Sequence, residues 1–119
     1  MKPLGEVKTF LKRFDNFKNG EIRGIEIISS SIINITLTAQ DNAKENDWIS
    51  LKLECNGVYD ASLLSDDKIK YINMDDGITI IKDTKGFAFG IGECYNIESI
   101  KNSSLYVACA SMKYEESSF

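Results

Sequence analysis

Apolar and polar side chains alternate along most of this chain. From Asp47 to Val58 (DWISLKLECNGV), Ile49, Leu51, Leu53 and Cys55 fall on one side of the alternation and Ser50, Lys52 and Glu54 on the other. That is the period of a half-buried β-strand, closed by an Asn56-Gly57 turn. Trp48 is out of phase with the Ile49 face and belongs to the opposite face or the sheet rim. Upstream, Glu21–Ile28 and Ser31–Ala39 carry the same signal across a short Ser29-Ser30 link and predict a β-hairpin. Gln40–Asn46 is the most polar loop in the chain.

Downstream, further strands are predicted at Lys68–Asn73, Ile78–Lys82, Phe87–Ile91 and Ser104–Glu115, separated by the turns Asp75-Asp76-Gly77 and Asp83–Gly86. Tyr59–Asp67 has no clear period, and Glu93–Ser104 reads as a loop with a short turn near Ile97–Ile100. The last residues, Glu115–Phe119, are expected to fray.

One segment has helical spacing. Val7, Phe10, Leu11, Phe14 and Phe17 form an apolar stripe within Gly5–Phe17, opposite Lys8, Lys12 and Arg13. Pro3 suits the approach to this helix and Asn19-Gly20 its stop. Three phenylalanines on one face are expected to pack on a sheet, with the basic face solvated.

Strands without intervening helices disfavour a parallel sheet. The expected class is α+β, mainly β. One N-terminal helix packs on a twisted antiparallel sheet, sandwich or partial barrel of about seven strands, in a single domain over residues 1–119.

Composition narrows the function classes. No run approaches the ~18 apolar residues of a membrane span, and no signal-peptide core is present, so a cytoplasmic location is expected. The chain has three cysteines (Cys55, Cys94 and Cys109) and no histidine. That removes imidazole-based catalysis and argues against a structural zinc site. Cys55 and Cys109 read as buried thiols; Cys94 sits in a polar context and is the candidate reactive one. No metal or cofactor is called for.

The net charge of −4 conceals an asymmetry: residues 1–23 hold six basic side chains against three acidic, and the remainder eight against fifteen. An acidic body binds nucleic acid poorly and suits a basic protein partner. The adjacent carboxylates Asp66-Asp67, Asp75-Asp76 and Glu115-Glu116 do not build a converging dyad, since neighbours on a strand face opposite ways. The glycines of GFAFGIGE lack the lysine and following helix of a phosphate loop and fit a bulge or a close backbone approach.

The order of features carries a resemblance: Asn19–Ile27 (NGEIRGIEI), then a second alternating strand, then Leu51–Val58 ending in Gly-Val, and a closing Leu105–Tyr114 (LYVACASMKY). In this it is similar to small bacterial families that include immunity proteins of polymorphic-toxin and contact-dependent growth inhibition systems. Where those proteins often place Phe-His-Asp before the first strand, this chain has Phe17-Lys18-Asn19-Gly20.

The resemblance implies a non-enzymatic toxin inhibitor that occludes a cognate C-terminal toxin domain, for example a basic nuclease. It supplies no binding residue by motif. The acidic residues of the predicted loops are the contact candidates: Asp41, Glu45, Asp47, Asp66, Asp67, Asp75 and Asp76. The alternatives are a small-ligand carrier with a cavity lined by Phe87, Phe89 and Ile91, or an enzyme using carboxylates or Cys94. An open edge strand would also allow two copies to pair.

Overall fold

The computed structural model describes residues 1–119, except for the side chain of Asp66. Its nine strands are β1 (Lys2–Pro3), β2 (Glu21–Ser29), β3 (Ile32–Asp41), β4 (Asp47–Asn56), β5 (Asp60–Ser62), β6 (Ile78–Asp83), β7 (Gly86–Ile91), β8 (Tyr106–Cys109) and β9 (Ser111–Ser118). The helices are α1 (Val7–Arg13), α2 (Asp66–Ile69) and α3 (Ile97–Lys101). The strands form two antiparallel sheets: a larger one in the order β1-β9-β4-β3-β2 and a smaller one in the order β5-β8-β7-β6. The sheets do not close into a barrel, and the class is α+β, mainly β.

The Asp47–Asn56 strand stands at the centre of the larger sheet, paired with β3 and β9. Its Ile49, Leu51, Leu53 and Cys55 point inward with Ile33, Ile35 and Leu37 of β3 and Met112 of β9. The opposite, outer face carries Ser50, Lys52 and Glu54. The smaller sheet covers part of the inner face with Ile78, Ile80, Phe89 and Val107. On its far side, Ile100 of α3 packs over Gly90, where an added Cβ would come within 3.0 Å of the Ile100 side chain.

Helix α1 lies beside β6, the edge of the smaller sheet, and over the inner face of the larger one, where Phe10 meets Tyr114 of β9 at 5.0 Å between ring centres. It is shorter than its spacing predicts. The helix ends at Arg13 because Asp15, Asn16 and Phe17 all take left-handed backbone angles (φ 51°, 55° and 61°). This turn aims Phe17 into the core, where it is fully buried 5.1 Å from Phe14. Apolar burial thus offsets the cost of left-handed geometry in L-residues. Pro3 lies in β1, on an edge strand where its missing N–H is tolerated.

Three further expectations are corrected. Lys68–Asn73 is not a strand: α2 ends at Ile69, Ser65 O accepts the N–H groups of Lys68 and Ile69, and Ile72 N–H returns to Ile69 O. Ile69 and Ile72, spaced three apart, turn toward the core while Tyr71 faces solvent. The predicted Ser104–Glu115 strand is two, because the chain passes from the smaller to the larger sheet at Ala110. The C-terminal residues do not fray, since β9 pairs with β4 as far as Ser118 opposite Ile49.

Candidate partner-binding surface

Asp41 is the acidic candidate whose position differs most from expectation. It continues the inward parity of Ile33, Ile35, Leu37 and Ala39 to the end of β3 and is fully buried. Arg13 Nε and Nη2 donate to its two carboxylate oxygens at 2.9 and 2.7 Å, and Arg13 also pairs with Glu116 of β9. The backbone N–H of Ala43 donates to Asp41 Oδ1 at 3.0 Å, closing the turn that follows. The Arg13 guanidinium holds the Asp41 carboxyl below its ordinary range against the opposing cost of burial, and Asp41 with Glu116 raises Arg13. Asp41 is therefore a structural ion-pair residue, unavailable to a partner.

The remaining candidates are spread over separate turns. Glu45 belongs to the β3–β4 connection, Asp47 to the start of β4, Asp67 to the start of α2, and Asp75 and Asp76 to the turn before β6; all five are exposed. The side chain of Asp66 lies outside the described residues. Asp76 lines a small cleft with Asn16 and Lys18 at the end of α1, whereas Asp47 lines a different cleft with Trp48. No common acidic surface unites them.

The outer face of the larger sheet offers more. Trp48 shares the outward parity of Ser50 and Lys52, is 42% exposed, and stands 5.8 Å from the ring of Phe119 beyond the end of β9. Arg23, at the irregularity between Ile22 and Gly24 on β2, places its guanidinium 4.6 Å over that same ring. A cleft of about 500 Å³ runs beside the stack, bounded by Lys44, Asp47, Trp48, Ser117 and Phe119. A second, of about 600 Å³, lies along β2 and is lined by Arg23, Lys52 and Lys70 with one carboxylate, Glu26. The side-chain oxygen of Asn34, on the same face between Glu26 and Glu54 of the neighbouring strands, is buried without a hydrogen-bond partner. The charge beside the aromatic stack is mixed, with cations prominent along β2.

The alternative sites fare differently. Phe89 and Ile91 are core residues, and among the described residues the clefts along β2, beside α1 and beside Trp48 are lined by other side chains than Phe87, Phe89 and Ile91. Glu115 faces outward and is exposed, while Glu116 is half-buried and tied to Arg13. Burial pushes the Cys94 thiol up, and its backbone N–H is held by Thr79 Oγ1 at 3.0 Å. Among the described residues, no group of three or more Cys, Asp and Glu side chains is placed to hold a metal ion. None of the described helices is long and apolar enough to cross a membrane.

The open edge of β2 is irregular: its pairing with β3 shifts between Ile22 and Gly24 and again between Ile27 and Ser29. Bulges and charges of this kind blunt edge-to-edge pairing. Strand parity alone places Trp48 on this face; the approach of Arg23 and of Phe119 has no signal in the sequence. Comparison with protein-family models, with curated proteins and with solved structures finds no significant match.

Proposed function

We propose that this chain is a non-enzymatic binding protein that docks a protein partner on the outer face of its larger sheet, centred on Trp48. The observation that carries this reading is the exposed Arg23–Phe119–Trp48 stack between two clefts. Tryptophan and arginine dominate binding energy at interfaces when a partner excludes water from them. A preassembled stack also loses less side-chain freedom on binding than separate flexible residues do. The partner would complement Arg23, Lys52 and Lys70 with carboxylates, and Glu45 and Asp47 with cations.

The sequence resemblance suggests what the partner is: a bacterial toxin domain, with this chain as its immunity protein. The buried position of Asp41 and the dispersal of the other acidic turns shift the weight from an acidic surface to an aromatic one of mixed charge. The test is calorimetric titration of the purified chain with the toxin domain encoded beside it. Tight binding that Trp48→Ala weakens by roughly 30-fold or more is expected, with Tyr95→Ala, an exposed aromatic between β7 and α3, as a silent control. Unchanged affinity in Trp48→Ala would reject the surface, and no binding by the parent chain would reject the toxin partner.

A further inference from the structure

Two of the three cysteines meet where the chain changes sheets. Cys55 is on the inner face of β4 and Cys109 is the last residue of β8; both are fully buried. The N–H of Ala110 donates to the carbonyls of Asn56 at 2.9 Å and Gly57 at 3.1 Å, so the crossing is pinned against the end of β4. Cys55 and Cys109 immediately precede the two ends of the Ala110–Asn56 bond, and their thiols are neighbours in the core shared by the two sheets. The Cys109 thiol donates to Ser111 O at 3.4 Å.

The neighbouring Cys55 thiol, with the adjoining main chain, holds Cys109 below the ordinary thiol value in spite of burial. The neighbouring Cys109, together with burial, has the opposite effect on Cys55, which is raised. Cys109 is thus the easier of the two thiols to ionise. Residues Ala110 and Ser111 are exposed, so a small opening of the crossing brings solvent to Cys109.

We propose that Cys55 and Cys109 are a redox pair: a modification site at which a peroxide converts two core thiols into one disulfide joining the larger sheet to the smaller. The Cys109 thiolate attacks a peroxide oxygen, the O–O bond breaks, and hydroxide leaves to be protonated to water. The Cys55 sulfur then attacks the resulting sulfenic acid. The S–S bond forms as the S–O bond breaks, and the Cys55 proton leaves with the departing oxygen in a second water. Two electrons pass from the sulfurs to the peroxide. Cys94 takes no part, because its sulfur lies near Ile91 O and Ser99 O on the other side of β7.

The test uses the full chain and its Cys94→Ser variant, each exposed to hydrogen peroxide, then denatured, alkylated and mapped by mass spectrometry. Free thiols should fall from three to one in the parent and from two to none in Cys94→Ser, with a Cys55–Cys109 cross-linked peptide in both. The oxidised chain should melt about 10 °C higher, since a cross-link over so long a segment restricts the unfolded chain, and reductant should reverse the shift. Retention of all thiols, a link through Cys94, or oxidation of Cys109 without a bridge would each overturn the assignment. Both chains keep the pair intact, so the outcome does not depend on whether a Cys55 or Cys109 variant folds.

Discussion

Arg13 and Asp41 are joined by two parallel hydrogen bonds, from the last turn of α1 to the buried end of β3. The pair fixes where the helix lies, because Arg13 cannot reach both Asp41 and Glu116 unless α1 crosses the inner face of the larger sheet. The Phe10, Phe14 and Phe17 rings supply the apolar contact but would tolerate sliding. The fork geometry of a guanidinium on a carboxylate would not.

Removing Arg13 alone should therefore be costly. Arg13→Met leaves the Asp41 carboxylate buried without its cation and should destabilise the fold by about 3 kcal/mol in urea denaturation. Arg13→Lys should recover only part of this, since an ammonium cannot make both bonds. Arg13→Met combined with Asp41→Leu should be more stable than Arg13→Met alone, because no unpaired charge then remains in the core.

The same pair sets an acid limb. Asp41 is ordinarily a carboxyl of pKa 3.8 in the unfolded chain, and Arg13 lowers it in the fold. A depressed folded value means the stabilisation is complete above the unfolded pKa and is lost as the pH falls through the folded one. Stability should thus decline below about pH 4. In Asp41→Asn that decline should be shallower, as measured by thermal melts between neutral pH and pH 2.

Gly77 locks the turn between α2 and β6 against the left-handed turn after α1. Its φ is +68°, and a Cβ there would stand 2.0 Å from Asn16 O. Both the backbone conformation and the space are closed to other residues. The turn also exchanges main-chain bonds with its surroundings, from Asn19 N–H to Met74 O and from Gly92 N–H to Gly77 O, both 2.8 Å. Gly77→Ala should cost more than about 2 kcal/mol, read as a fall in the urea midpoint.

Strand parity made the larger sheet legible: every inward residue of β3 and β4 follows from the alternation. The same parity extends to Asp41 and to Glu116, two residues beyond Tyr114, and points both inward; their polarity suggested loop and tail instead. What periodicity does not encode is the partner of a residue 28 positions away, as with Arg13 and Asp41. The change of sheet at Ala110 leaves one trace, a slip of the inward positions from Leu105, Val107 and Cys109 to Met112 and Tyr114. Cys55 and Cys109 each read as small core residues, and their meeting depends on that crossing.

The acidic turns offer a way to separate local docking from general charge. Among the described acidic residues, Asp47 at the start of β4 adjoins the aromatic stack, in the cleft beside Trp48. Asp76 lines a separate cleft with Asn16 and Lys18, and Asp75 precedes it in the same turn. Replacing Glu45 and Asp47 by lysine should weaken partner binding about 10-fold or more and reduce its dependence on salt. The matching change at Asp75 and Asp76 alters net charge equally but should leave the dissociation rate unchanged, affecting only association at low salt. Both variants should fold with the stability of the parent to within about 0.5 kcal/mol, because the four side chains are exposed. Equal losses of affinity from the two variants would indicate long-range attraction and remove the argument for docking at Trp48.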